Sequence, residues 1–153
     1  MNPCSMASDA LRLTGIFCLA LLLSACRPEL DDKTRIERTL DAMTEALEQG
    51  DVSGFMAAVA DDFVAVNGRL DRRSLGLLVR RERLARDAIG IQRLDTRIEI
   101  FASDAADARA VASFRALATG GTGLLPDEGR FWKVETGWRR DGGKWMLISA
   151  EWE

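Results

Sequence analysis

The sequence of 153 residues contains no histidine and no tyrosine. Their absence excludes a histidine-centred triad, a histidine metal site and a tyrosine oxyanion donor within one chain. Cysteine is scarce: Cys4 and Cys18 lie in the first 25 residues, which leaves Cys26 alone in the rest of the chain. A single cysteine supports neither an intramolecular disulfide nor a thiolate metal cluster. Aspartate and glutamate are therefore the remaining acid–base candidates.

A large excess of charge is also missing. The chain has 21 Lys and Arg against 24 Asp and Glu, a formal net charge of −3. Such a small net charge does not indicate a polyanionic partner, and we do not expect nucleic acid to bind. The length is sufficient for one domain with its own core.

The N-terminal apolar run over residues 11–26 ends in Leu23, Ser24, Ala25 and Cys26. Its apolar core is shorter than the roughly 20 residues that cross a bilayer, and it has the length of a signal-peptide core. The ending resembles the lipobox of bacterial lipoproteins, in which the cysteine receives a diacylglycerol and becomes the first mature residue. The alternative is that the segment is an ordinary secretory leader or an uncleaved anchor, in which Cys26 has no special role.

The lipobox resemblance implies a location for the chain. Two or three acyl chains anchor a protein stably, and Arg27, where the retention pattern has Asp, implies no inner-membrane retention signal. We expect a signal peptide at 1–25, a lipidated Cys26 with a short tether at 26–33, and a domain at 34–153. In a Gram-negative source the domain would lie on the periplasmic face of the outer membrane.

Helical periodicity marks the first half of this domain. Asp32 or Thr34 can cap the first helix, and Gly50 can end it. The stripe of that helix consists of Ile36, Leu40, Met43 and Leu47. A second helix is predicted after Asp51 or Ser53 and ends at Asp61 and Asp62. Its predicted buried residues are Val52, Phe55, Met56 and Val59.

A short strand over residues 63–66, a turn at Asn67 and Gly68, and a helix over residues 71–88 follow. Leu75, Leu78, Val79 and Leu84 are expected to face inward on that helix.

From residue 91 the apolar period changes from that of a helix to the alternation of a strand. A glycine-rich loop covers residues 120–129, and Asp141 to Lys144 form a hairpin turn. The predicted inward residues of the last two strands are Trp132, Val134, Thr136, Trp138, Met146, Ile148, Ala150 and Trp152. Helices followed by antiparallel strands predict an α+β domain, with about three N-terminal helices packed on one side of a mainly antiparallel sheet.

Residues 34–153 resemble the NTF2-like superfamily, also described as SnoaL-like or as a cystatin-like cone. The resemblance is carried by the first-helix stripe, by Glu48 to Asp51, by Asp61 to Phe63 and by Trp138 to Trp145. It implies a strongly curved sheet that wraps the helices around a conical pocket. Enzymes of the superfamily place carboxylates, His, Tyr or Trp there, and this sequence departs from that pattern because it lacks His and Tyr.

Two groups of residues are candidates for the pocket. Asp61 or Asp62, near the expected mouth, could act as a base if burial raised its pKa; the alternative is that both face solvent. The expected lining of the pocket consists of Trp132, Thr136, Trp138 and Trp152, unless the aromatic residues merely fill the core. Trp145 alternates with the inward residues of its strand, such as Met146, and is therefore predicted on the outer sheet face, where a homodimer could form.

Seven arginines lie in residues 69–87 against three acids. An arginine-rich helix on a tethered protein could touch anionic lipid headgroups, although a solvated face that pairs with the acidic first helix is the alternative.

The expected function is therefore binding of a small apolar ligand or of a protein partner, without catalysis, cofactor or metal. The alternatives are a hydrolase or isomerase that uses one Asp or Glu in the cone, and an envelope protein that contacts anionic lipid through the arginine-rich helix.

The lipobox predicts that Cys26 carries the lipid. In a bacterial host, the wild-type chain should incorporate radiolabelled palmitate, and Cys26→Ser should abolish the label because it removes the acceptor thiol. A wild-type chain that stays unlabelled and fractionates as a soluble protein would contradict the lipoprotein prediction.

Overall fold

The computed structural model describes residues 30–85, 89–101, 108–119 and 130–153. The predicted signal peptide, Cys26 and the glycine-rich loop over residues 120–129 lie outside these ranges. Asp31–Glu153 form one compact unit, in which three helices and six strands are described. No helix in the described ranges is long and apolar enough to cross a membrane.

The first helix, α1 (Asp32–Gln49), follows the predicted apolar stripe. Its N-cap is Asp31 rather than Asp32 or Thr34, because the Asp31 carboxylate accepts a hydrogen bond from the backbone N–H of Thr34 at 2.8 Å. Gly50 ends the helix as predicted, with a φ of 73° that favours glycine. The buried residues of α1 are Ile36, Leu40, Met43 and Ala46.

The second helix, α2 (Val52–Met56), is much shorter than predicted. Asp51 caps it by accepting a hydrogen bond from the Gly54 N–H at 2.9 Å. The chain then enters strand β1 (Val59–Ala65), so the prediction that Asp61 and Asp62 end a helix is wrong. Parallel pairing of β1 with the last strand decides this, and such a distant pairing overrides the local helical spacing.

After a turn over residues 66–69, the chain forms β2 (Leu70–Asp71) and then helix α3 (Arg72–Ala85). Leu75 is buried, but Leu84 is 83% exposed, so the prediction that Leu84 faces inward is wrong. At about 100° per residue, the position nine residues after Leu75 points to the opposite side of the helix.

The remaining strands form an antiparallel meander of four long strands. These are β3 (Gly90–Phe101), β4 (Arg109–Thr119), β5 (Arg130–Asp141) and β6 (Lys144–Trp152). The sheet order is β2-β1-β6-β5-β4-β3, with β1 parallel to β6. The predicted α+β fold, with helices on a mainly antiparallel sheet, is confirmed.

The core lies where α1 meets the sheet. The largest fully buried side chains are Trp138, Phe63, Ile36 and Val59, which come from β5, β1 and α1. Burying one large apolar side chain contributes roughly 1.5–3 kcal/mol. This cluster therefore accounts for far more stability than the exposed ion pairs around it, each worth about 0–1 kcal/mol.

Trp145 is 3% exposed and belongs to the core, so its predicted place on the outer sheet face is wrong. Two successive residues of β5 pair with Ser149 and Leu147, which makes Ile148 an extra residue on β6. One extra residue reverses which face later side chains occupy. Trp145 and Leu147 therefore face the core before this bulge, and Ala150 faces it afterwards.

Because of the same bulge, the prediction that Met146 faces inward is wrong. This residue lies between Trp145 and Leu147, which are both buried, and alternation therefore turns Met146 away from the core. Ile148 is the bulged residue itself and is only half-buried.

Carboxylates fix α1 to the sheet at both of its ends. At the start, Asp32 accepts hydrogen bonds from the Trp145 indole N–H at 3.0 Å and from Arg140 Nη1 at 3.2 Å. At the end, Glu48 accepts the backbone N–H of Ile91 at 2.9 Å. These contacts set where the helix crosses the sheet.

Gly50 and Gly76 offer a matched pair of Gly→Ala substitutions with opposite expected signs. A Cβ at Gly50 would meet Arg83 Nε at 2.3 Å and would sit on a residue with a φ of +73°. We expect Gly50→Ala to lower the free energy of unfolding by about 1–2 kcal/mol.

Gly76 lies inside α3, where a Cβ meets Met56 only at 3.7 Å. Gly76→Ala should therefore raise the free energy of unfolding, by about 0.5–1 kcal/mol. Urea unfolding of both variants measures the difference, and equal effects would contradict the assigned backbone conformation at Gly50.

Candidate functional site

An apolar cavity of about 220 Å³ lies between α1 and the inner face of the sheet. All three described helices and every described strand except β2 contribute to its wall. The residues that line it are Leu40, Met43, Thr44, Leu47, Phe55, Phe63, Leu75, Ile91, Arg93, Phe114, Ala116, Val134, Thr136, Leu147, Ala150 and Trp152. Within the described ranges, the lining contains no carboxylate.

The two threonines of the lining already donate their hydroxyl hydrogens to the protein. Thr44 donates to the backbone oxygen of Leu40 at 2.9 Å. Thr136 donates to the backbone oxygen of Ala112 at 2.9 Å and accepts the Trp138 indole N–H at 2.9 Å. A hydroxyl has one hydrogen, so neither threonine offers a free donor to the cavity.

Arg93 is the charged residue of the lining. Its side chain is 12% exposed, its Nη2 donates to the carboxylate of Asp41 on α1, and its guanidinium lies 5.8 Å from the centre of the Phe114 ring. Nη1 is buried, and no described residue provides it with a hydrogen-bond partner. An unpaired buried donor costs about 1–3 kcal/mol, and the cation–π contact recovers about 0.5–2 kcal/mol of it.

A bulge in β3 directs Arg93 inward. Leu94 pairs with Arg115 and Arg97 pairs with Ser113 on β4, so β3 has one residue more than its partner between these pairs. Asp95, within the bulge, has a φ of +56°. The inner face is therefore formed by odd-numbered residues before the bulge and by even-numbered residues after it.

Sequence reasoning missed Arg93 for this reason. Ile98 and Ile100 set the alternation of this strand, and extending it backwards would place Arg93 outside. No residue in the stretch is a glycine that would have signalled a bulge.

Asp61 and Asp62 lie on β1, away from the cavity lining. Asp61 is fully exposed, 3.6 Å from Arg72 Nε. Asp62 accepts two hydrogen bonds from Arg139, at 2.6 and 2.9 Å. The hydrogen bonds from Arg139 hold the pKa of Asp62 below its ordinary value, whereas a general base requires a raised pKa.

Solved structures resemble this arrangement of helices and sheet. An NTF2-like protein of unknown function from Pseudomonas putida KT2440 has 21% identity and a TM-score of 0.63, over 78% of this chain and 84% of its own. An NTF2-like protein with a cystatin-like fold from Novosphingobium aromaticivorans has 15% identity and a TM-score of 0.63, over 99% and 90%. The domain has the NTF2-like, cystatin-like fold.

A protein of unknown function with a cystatin-like fold from Nostoc punctiforme has 20% identity and a TM-score of 0.59, over 80% of this chain and 90% of its own. No family model matches the chain, and no curated protein matches it. At these identities the likeness is one of fold alone.

The residues predicted to line the cone of the NTF2-like domain occupy different places. Thr136 and Trp152 line the cavity. Trp138 is fully buried in the core. Trp132 is half-buried and pairs with Ala116 across β4 and β5. Of the three tryptophans predicted to line the cone, Trp152 contacts the cavity, whereas Trp132 and Trp138 are not among its lining residues.

The arginine-rich helix corresponds to α3, and Arg86 lies outside the described residues. Arg72 Nε donates to the Val59 backbone oxygen at 3.2 Å, which ties the start of the helix to β1. Arg81 donates to Glu82 at 3.1 Å. The described residues contain no group of three Asp, Glu or Cys side chains that could hold a metal ion.

The Asp62–Arg139 pair predicts a pH-dependent contribution to stability. The folded pKa of Asp62 is lowered, so the contribution is present above the unfolded pKa and is lost as the pH falls through the folded pKa. Asp62→Asn should therefore destabilise the protein at neutral pH, and this loss should shrink in acid. Urea unfolding at neutral and acidic pH measures it.

Asp61→Asn is the matched control, and its longer contact to Arg72 predicts a smaller loss at neutral pH. An Asp62 carboxyl that titrated above the ordinary aspartate value by NMR would contradict the assigned pairing.

Proposed function

We propose that this protein is an exported lipoprotein, anchored through Cys26 at the outer membrane, whose NTF2-like domain binds a small apolar ligand without catalysis. The observation that carries the binding proposal is the apolar cavity of about 220 Å³. An apolar cavity of about 150 Å³ accepts benzene, so this one accommodates a single ring with a short chain. Displacing its contents by an apolar molecule would gain van der Waals contacts with the wall.

Binding without catalysis is supported by where the acidic side chains lie. Asp61 and Asp62 are exposed on β1, and the described lining offers no carboxylate that could move a proton inside the cavity. A hydrolase or isomerase that works through one buried Asp or Glu is therefore the weaker proposal.

Contact with anionic lipid through α3 is a second candidate function. Arg73, Leu77, Arg80 and Leu84 follow one another at helical spacing, and Leu77 and Leu84 are 56% and 83% exposed. Exposed leucines between arginines suit a membrane surface. Asp61 and Asp71 line the same open groove as Arg73 and Arg80, and their charge opposes binding to anionic headgroups.

Partner contact through the outer sheet face, including a homodimer, also belongs to the proposal. An open, polar groove on the outer sheet face is lined by basic residues, such as Arg97 and Lys133, and by acidic residues, such as Glu135 and Glu151. Mixed charge favours a partner with a complementary pattern.

The anchor rests on the residues from Leu23 to Cys26 and on the position of Cys26 as the one cysteine after the leader. Palmitate labelling of Cys26→Ser tests it, and Cys18→Ser is the matched control. Cys18 lies within the segment expected to be removed, so its substitution should leave the label in place.

Filling the cavity should abolish ligand binding. Ala116 lines the cavity, and Ala116→Phe places a ring where the ligand would lie. We expect affinity for hydrocinnamyl alcohol, a neutral one-ring probe, to fall about tenfold or more, since a lost apolar contact of this size exceeds about 1.4 kcal/mol. Ligand-observed NMR measures the binding.

Ala42→Phe is the matched control, because Ala42 is exposed on α1 and the added ring would meet solvent. Unchanged affinity in both variants would contradict the cavity as the binding site. Thermal unfolding of each variant verifies that the fold is retained.

A further inference from the structure

We infer that two copies of this chain associate through the open edge of β3, where residues 96–100 of each copy pair as antiparallel strands about a two-fold axis at Ile98. β3 is the last strand in the sheet order, so no described strand adjoins its outer side. This edge is separate from the outer sheet face, on which the groove of mixed charge lies. The association goes beyond the proposed function because it requires neither the ligand nor the lipid anchor.

The second half of β3 presents an edge that can accept a further strand. Glu48 on α1 covers the start of β3 by accepting the N–H of Ile91, and the bulge at Asp95 separates that part from the rest. From Arg97 to Phe101, β3 then pairs regularly with β4 on its other side. In an antiparallel pair, every second residue directs its N–H and C=O away from the neighbouring strand. This part of the edge therefore offers backbone hydrogen bonds to one more strand.

The two charged side chains of this segment have no partner among the described residues. Arg97 and Glu99 are both exposed, and no described residue forms a hydrogen bond or ion pair with either side chain. Their neighbours across β4 are Ser113 and Val111, which carry no charge. The charges of both side chains are therefore available to a strand on the open side.

The order of these charges selects one register for a second copy. Antiparallel pairing about Ile98 places Arg97 of each copy opposite Glu99 of the other copy. Pairing centred on Arg97 or on Glu99 would oppose like charges, and a shift by one residue would turn the side chains of the two strands to opposite faces. Side chains directly opposite each other have Cβ atoms about 4.5–5.5 Å apart, so both ion pairs can form at once. This self-complementarity favours a second copy over an unrelated extended peptide.

The inner side of the same segment would gain apolar contacts. Ile98 and Ile100 are half-buried and pack against the core. In the proposed pair, Ile98 meets Ile98 of the second copy, and Ile100 lies opposite Thr96 of the second copy. Contacts between β-branched side chains across two strands stabilise a sheet. The interface is the same on both copies, so the association closes at two copies.

Ile98→Cys tests the position of the two-fold axis. The paired Cα atoms would lie about 4.5–5.5 Å apart, which is within the range of a disulfide. The full chain is expressed in a bacterial host, and its membranes are oxidised with copper phenanthroline. We expect a disulfide-linked dimer on a non-reducing gel. The wild-type chain is the blank, because any dimer that it forms comes from its own cysteines.

Glu135→Cys is the matched control for the outer sheet face. Glu135 is exposed and lines the groove on that face. A thiol there lies away from the edge of β3, so it should yield much less dimer than Ile98→Cys.

Charge reversal in the Ile98→Cys background tests the register. Arg97→Glu and Glu99→Arg each oppose like charges in both symmetric pairs, so each should slow cross-linking about tenfold. The two reversals together restore opposite charges across the pair and should recover the original rate. Recovery distinguishes pairing between copies from an effect on the fold of one copy.

Arg97→Lys tests the same contact without a new cysteine, in case Ile98→Cys fails to fold. A carbodiimide should join the lysine amine to Glu99 of the second copy and produce a dimer. Adding Glu99→Gln removes the carboxylate and should abolish this product.

The absence of a dimer in both Ile98→Cys and Arg97→Lys overturns the inference. Equal cross-linking through Glu135→Cys also overturns it, because the contact would then lie on the outer sheet face. A cross-link from residue 98 to a different protein, or a double charge reversal without recovery, overturns it as well.

Discussion

The position of α1 across the sheet is the constraint on which the rest of the domain depends. Three carboxylates contact the sheet: Asp32 at the start of the helix, Asp41 in its middle and Glu48 at its end. Burial of Ile36 and Leu40 on the sheet contributes roughly 1.5–3 kcal/mol for each side chain, which no single one of these polar contacts exceeds. The carboxylates decide where the helix lies, and its position leaves the cavity open.

Two β-bulges then decide which side chains the helix meets. The bulge in β3 turns Arg93 into the cavity, and the bulge in β6 turns Trp145 into the core. Trp145 in turn donates to Asp32 at the start of α1. A reversal of faces in each strand thus supplies a contact between the sheet and α1, Trp145 to Asp32 in one strand and Arg93 to Asp41 in the other.

The sequence predicted the fold better than the site. The stripe of α1, its end at Gly50, the hairpin at Gly142 and the α+β order all agree with the structure, because helical and strand periodicities are local properties of the chain. The prediction that Asp61 and Asp62 end a helix failed, since pairing between β1 and β6 joins residues that are far apart in sequence. Predicted and observed cavity linings share Thr136 and Trp152.

Composition alone determined which chemistries are impossible: without histidine and tyrosine, no site built on either can form in this chain. Periodicity determined the kinds of elements and their order. The tertiary structure alone decided that Arg93 contributes to the wall of an apolar cavity and pairs with Asp41 on α1. The physical reason is that alternation fixes the face of a residue only relative to its neighbours, and one extra residue, admitted by pairing with another strand, reverses it.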